Sequence, residues 1–438
     1  MLFRGSADLI PLYALYALLF ADHGLNTAQI SGLLAIWSTT SFVLEVPSGA
    51  WADTVSRRLL LILSGVLLVA GFGLWTVAPS YLGFALGFVC WGTSGALLSG
   101  TFEALLYDEL AARGETAEYP RIMGYTRAAS ETAALLGIVA AAPLFAWGGY
   151  ALVGWVSVVI AGLHALLAFT LPSAPKTVSA EQAQELAEEE APESIAPQDA
   201  DLSVPGSTAS VGAAVAVGTE AIPAQGSAIA RYFFMLRTGL REAVRVKTVR
   251  HGLFLASILY GMTAFDEYFA LVAGAAGVAP WVTALLVGLT VVGALVGSTL
   301  AGRTEAMRAR TMAIALTVGG VLFIGGALLA GLAVHRPAAV YPLTALGFSA
   351  IGIAYGIVYN AGVIAAARLQ DAIEGPARAT VTSVSGVLEE LFSLAVFGFV
   401  ALVSLWLPIA PIVALLGVPM LVAAALVPAW LPPRGSAD

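Results

Sequence analysis

Long apolar runs separated by short polar breaks fill this chain, and that alternation constrains its fold more than any single residue does. The runs lie at about 7–22, 28–48, 59–78, 81–110, 120–146, 150–171, 251–274, 280–301, 311–333, 338–367, 379–404 and 408–431. Each approaches or exceeds the roughly 20 residues with which a helix crosses the hydrocarbon of a bilayer. Backbone in lipid has no water to bond, so such runs must satisfy their N–H and C=O groups internally as helices. Charged residues make up only 11% of the 438, against about 25% in soluble domains, which excludes a soluble globular chain. The expected fold is an all-α membrane protein with twelve transmembrane helices. Runs longer than 25 residues imply tilt, or helix continuing past the bilayer, rather than extra crossings.

Orientation follows from the bases. Eighteen of the 20 Lys and Arg fall at the N-terminus, in the even-numbered loops or at the C-terminus; the exceptions are Arg336 and Arg127. Basic loops stay inside, so both termini are expected in the cytoplasm.

The formal charge of −8 is local: between Pro172 and Ala230 nine acids meet one base, Lys176. The rest is neutral, so neither nucleic acid nor an acidic partner is indicated. That Ala-, Pro-, Ser- and Glu-rich segment cannot bury enough apolar surface to order itself and reads as a disordered acidic cytoplasmic linker over 172–230. Residues 231–250 alternate bases with apolar residues at helical spacing, as an amphipathic juxtamembrane helix does. Six runs precede this insert (1–171) and six follow it (251–438).

One cysteine, Cys90, excludes an internal disulfide and thiolate metal clusters. Four scattered histidines have no ligand spacing, and no Gly-rich loop ends in Lys-Ser or Lys-Thr. No catalytic constellation, metal or cofactor is expected, and the chain does not read as an enzyme.

Between the second and third runs lies Gly49-Ala50-Trp51-Ala52-Asp53-Thr54-Val55-Ser56-Arg57-Arg58, preceded by Glu45-Val46-Pro47-Ser48. Gly49, Ala52, Asp53, Arg57 and Arg58 resemble the signature found between the second and third helices of the major facilitator superfamily, whereas Trp51, Thr54 and Ser56 depart from it. A weaker second copy, Ser298 to Arg303, lies between the eighth and ninth runs. The resemblance implies two pseudo-symmetric six-helix bundles related as parallel repeats, with a midplane cavity between them. It also implies a cytoplasmic lock. Asp53 would dock at the start of the eleventh helix near Arg378, and Arg57 would bridge it to Asp108, with Glu109 as substitute.

Carboxylates at membrane depth cost about 2.5–3.5 kcal/mol each and need a partner, a proton or water. The candidates are Glu45, Glu103, Glu131, Asp266, Glu267, Glu389 and Glu390. Arg127 precedes Glu131 by one helical turn, as either a structural ion pair or a coupling pair. Matching Arg121 to Arg378 across the repeat sets Glu103 on Asn360, which would then face each other across the cavity near Tyr355 and Tyr359. Asp266 and Glu267 would point about 100° apart on a helix, so that one faces the cavity. Glu389 and Glu390 suit coupling or helix contact. Tyr13, Tyr16 and Trp91 complete the expected site.

Acidic groups without a free cavity base favour a cationic or amphipathic solute. The expectation is an alternating-access transporter of a small organic solute in the bacterial cytoplasmic membrane, exporting it against protons and working as a monomer. Uptake or facilitated diffusion is the alternative, and a non-transporting sensor is the rival of another class. The exporter signatures of the fourth and fifth helices are eroded here, since Val89 precedes Gly92 and only Gly137 and Pro143 remain.

Overall fold

The computed structural model describes residues 1–172, 245–373 and 378–434, leaving aside the side chains of Val46, Ala50, Asp53, Arg378, Ala379, Thr380 and Ser383. The linker and most of the 231–250 helix fall outside them. Among the described residues all regular structure is helical. Ten helical segments are long and apolar enough to cross a membrane. One of them, Thr116–Ala168, reverses at Gly148–Gly149 and so crosses twice. The interrupted run 247–275 supplies a further crossing, which makes twelve.

The spans are numbered α1 (Leu2–Asp22), α2 (Thr27–Thr54), α3 (Arg57–Val77), α4 (Tyr81–Arg113), α5 (119–147), α6 (150–168) and α7 (247–275). They continue as α8 (Pro280–Thr304), α9 (Ala309–Leu332), α10 (Val340–Ala372), α11 (Arg378–Val403) and α12 (Ile409–Trp430). The first six pack into one bundle and the last six into another. The bundles meet along α2 against α11, α5 against α8, and the α1–α7 pair.

Close helix approach here depends on missing side chains. A Cβ at Gly293 would strike the Gly352 carbonyl, and one at Gly297 the Gly356 carbonyl, so α8 and α10 touch backbone to backbone. Small residues allow this where lipid offers no hydrophobic drive for helices to associate.

Several spans differ from the sequence expectation. The Gly49 stretch is helical as far as Thr54, and the chain turns only at Val55–Ser56. The first span starts at Leu2, not near residue 7, and breaks at Leu9–Ile10 into a 3₁₀ turn over Pro11–Ala14. Proline removes an N–H and clashes with the carbonyl four residues back, which ends the helix there. The amide freed at Leu12 is satisfied by the buried Ser157 hydroxyl of α6, at 3.1 Å. Its counterpart in the repeat, α7, is likewise wound as 3₁₀ over Met262–Tyr268. Span four is not one continuous helix: Gly100, at φ +68°, splits Tyr81–Leu98 from Thr101–Arg113.

Candidate functional site

The break in α4 places Glu103 in the first turn of its second piece. There it lines a cavity of about 730 Å³ inside the first bundle, with Arg4 and Asp8 of α1, Trp91 of α4, and Arg127 and Glu131 of α5. Four ion pairs form among the described residues, and none includes Glu103, Arg127 or Glu131. The expected Arg127–Glu131 ion pair is therefore not made; both side chains open into the cavity. The premise of a cavity without a base is corrected at the same time, because Arg127 and Arg4 both line it. Reading the first span from residue 7 had left Arg4 outside the membrane.

An aromatic stack closes one flank of this cavity. Tyr13 lies parallel to Trp91 with ring centroids 4.9 Å apart, and Trp91 to Trp37 of α2 at 5.0 Å. Trp37 then lines a second, smaller cavity of about 230 Å³ between the bundles, with Ser38, Asp266, Glu267, Glu390 and Ser393 among its walls. Both Asp266 and Glu267 reach it. Adjacent residues on a 3₁₀ turn point about 120° apart, yet both line the hollow, so it reaches around α7 and the expectation that only one faces it is corrected.

Hydroxyls meet these carboxylates, mostly across the seam. Tyr16 of α1 donates to Glu267 of α7, and Ser38 of α2 donates to Glu390 of α11. Within the second bundle Tyr355 donates to Asp266, and Tyr359 lies 3.4 Å from Tyr355. Glu389 instead accepts from Ser385 one turn back on its own helix, at 2.8 Å. Ser31 of α2 meets Tyr268 of α7 at 2.8 Å, and Leu18 packs against Gly274. These contacts tie the bundles together toward the end bearing the Asp22 and Ala276 loops. The large cavity is lined by Arg4, Glu103 and Met123, nearer the opposite, basic end.

Asn360 does not face Glu103. Its amide donates to the Gly297 carbonyl (3.0 Å) and to the Thr304 hydroxyl (2.9 Å), and it lines an apolar groove between α8, α9 and α10. Matching the repeats gives the wrong rotation for Asn360, because the glycine contact with α8 sets that face. The expected charged and amide residues are thus divided among three hollows, Glu103, Arg127 and Glu131 in one, Asp266, Glu267 and Glu390 in another and Asn360 in a third, while Glu389, Tyr16, Tyr355 and Tyr359 line none of them.

At the basic end Arg57 pairs with Asp108, both largely buried at 12% and 4% exposure, and also donates to the Ala104 carbonyl at 3.1 Å. Arg58 donates to the Phe169 carbonyl, tying α3 to α6. Glu109 pairs with Arg113 on its own helix. Gly49 sits exposed on α2 with open space around it. The side chains of Asp53 and Arg378 lie outside the described residues, so their docking is not visible. Tyr107, one turn after Glu103, packs on Tyr119.

Sequence reasoning missed Trp37, Ser38, Ser31 and Tyr268. On α2 the Ser and Thr residues are spread around the axis instead of along one face, so its pattern gives no signal for which side meets its partner. Asp8 and Arg4 did carry one, four residues apart before an apolar run. Among the described residues no three His, Cys, Asp or Glu side chains cluster to hold a metal ion.

Against known proteins, the family model described as Major Facilitator Superfamily matches residues 2–394. A search of curated proteins gives no match. Solved structures share the architecture. A variant of the nucleoside transporter NupG superposes with TM-score 0.62 at 11% identity, covering 98% of this chain and 96% of its own. A D-xylose-proton symporter gives 0.56 at 15%, covering 100% and 96%. A bacterial homologue of the human lysosomal transporter Spinster, in an inward-facing and occupied conformation, gives 0.60 at 13%, covering 97% and 93%. At these identities the likeness concerns the fold alone.

Proposed function

The chain belongs to the major facilitator superfamily of transporters, and from that premise we propose that it exports a small organic solute across a bacterial cytoplasmic membrane by alternating access, driven by protons. Taking the basic end as cytoplasmic follows the distribution of Lys and Arg. On that orientation, the observation that carries the reading is the asymmetry of the seam. The bundles are tied at the outer end by Tyr16–Glu267 and Ser31–Tyr268, while the large charged cavity lies toward the inner end. We read this asymmetry as that of a carrier facing inward.

The seam carboxylates supply the coupling. Asp266, Glu267 and Glu390 all line the hollow between the bundles, and two of them accept hydroxyl hydrogen bonds from the other half. Closing a dry seam over ionised carboxylates is costly, whereas protonated carboxyls lose that charge and keep their hydrogen bonds. Protons loaded from outside therefore favour outer closure and the return to the inward state. Solute then leaves on the opposite stroke, once the proton has gone. Arg57, already paired with Asp108, and Asp53 would form the inner lock that holds the outward state.

The test is flux in proteoliposomes under an imposed pH gradient, read with a lumenal pH dye as proton loss from the acid-loaded lumen on adding leucine, phenylalanine or their amine analogues outside. The wild-type chain is expected to couple proton and solute movement. Glu267→Gln and Glu390→Gln are expected to keep solute exchange and lose gradient-driven accumulation. Full accumulation by both variants would remove the seam from coupling.

A further inference from the structure

Resting on the transporter reading above, we propose that the solute is a zwitterion with an apolar body, of the size and kind of an amino acid. Its carboxylate would meet Arg127 and its amine Glu103 or Glu131. The argument begins with what the large cavity leaves uncompensated. Its five charged wall residues have both signs. Arg4 and Asp8 stand one turn apart on α1 and within electrostatic reach of each other. Arg127 is thus the remaining base against two remaining acids, Glu103 and Glu131. No hydrogen bond or ion pair among the described residues engages any of those three.

Water screens these groups while the cavity is open, as their exposure shows. Alternating access removes that water when the inner end closes, and an isolated charge of either sign then becomes expensive. A solute bearing only a cation would answer one acid and leave the other to Arg127, so that no carboxylate remains to carry the proton. A solute bearing only an anion would answer Arg127 and strand both acids. A solute carrying both signs compensates the guanidinium and one carboxylate together. The other carboxylate is left to take the proton that the cycle requires. Arg127 and Glu131 lie about 6 Å apart along the α5 axis, a span that a neighbouring amine and carboxylate can bridge. The apolar part of the solute has its own wall in Tyr13, Trp91, Leu98 and Phe102. A volume of about 730 Å³ falls in the range of small-molecule sites.

The experiment compares isosteric probes by ligand-induced shift of thermal unfolding on the purified full chain, and by flux in proteoliposomes. The probes are phenylalanine, 2-phenylethylamine and 3-phenylpropionate, with leucine, isoamylamine and 4-methylpentanoate as the aliphatic series. In at least one series the zwitterion is expected to bind about tenfold or more tightly than either single-charge analogue, as one charged hydrogen-bonded contact is worth. Arg127→Gln should reduce the preference for zwitterion over amine to within about threefold and leave amine binding unchanged. Glu103→Gln and Glu131→Gln should reduce the preference over the carboxylate analogue instead, so one unfolded variant does not end the test. Amines binding as tightly as zwitterions to the wild-type chain would overturn the proposal. So would Arg127→Gln weakening both probes equally, or no shift from any zwitterion. Proton-driven flux of an amine without the zwitterion would refute the solute class and leave the carrier standing. Absence of flux for every probe, with no proton release from the acid-loaded lumen, would refute both.

Discussion

The Arg57–Asp108 pair shows how one contact is decided by burial. A guanidinium and a carboxylate this sheltered lose most of their hydration, and removing one partner leaves the other charged in a poor solvent. Asp108→Asn is expected to lower stability by about 3 kcal/mol, and Glu109→Gln, whose partner Arg113 is 60% exposed, by less than about 0.5. Chemical unfolding in detergent measures both, and equal losses would mean that the inner pair is no better sheltered than the outer one. The pairing of Arg57 with an acid at the inner end of α4 was implied by the family resemblance of the Gly49 stretch; it is the structure that selects Asp108 over its substitute Glu109. Asn360 was not legible. The repeat gives register along a helix, whereas rotation is set by which neighbour packs closest, here the glycine face of α8.

Spans one, four and seven owe their usefulness to being interrupted. Broken helices free backbone groups and turn side chains inward at the depth where a solute must bind, and in this fold they occur in both halves. The proline of α1 announces its break, but α7 has none, so its 3₁₀ turn and the joint placement of Asp266 and Glu267 could not be read from residue type. Gly100 marks the third interruption. At φ +68° with nothing near its missing Cβ, Gly100→Ala costs backbone strain alone, about 1–2 kcal/mol, and should tilt Glu103 away from its present position. Gly297→Leu, by contrast, must drive α8 off α10 and is expected to abolish folded protein, whereas Gly302→Leu faces open space and should be tolerated. Size-exclusion profiles of the detergent-extracted variants distinguish the three. A well-folded Gly297→Leu protein would contradict the backbone contact.

At the scale of the whole molecule, the apolar runs were enough to specify the spans, because the bilayer dictates their length, and the resemblance of the Gly49 stretch supplied their division into two six-helix bundles. The three hollows were less accessible, because a pattern of residues along spans does not state how two bundles are tilted. The account stands on those bundles tilting past each other, with the outer seam opening as the inner one closes. Electron–electron distance measurements in nanodiscs test this most directly, after Cys90→Ser removes the native thiol. One label pair spans the outer ends at Trp147 and Trp406, both exposed, and the other spans the inner ends at Glu115 and Ala306. Raising the pH should ionise the seam carboxylates, lengthening the outer distance and shortening the inner one in the same sample. Distances that stay fixed, or that lengthen or shorten together, would contradict it.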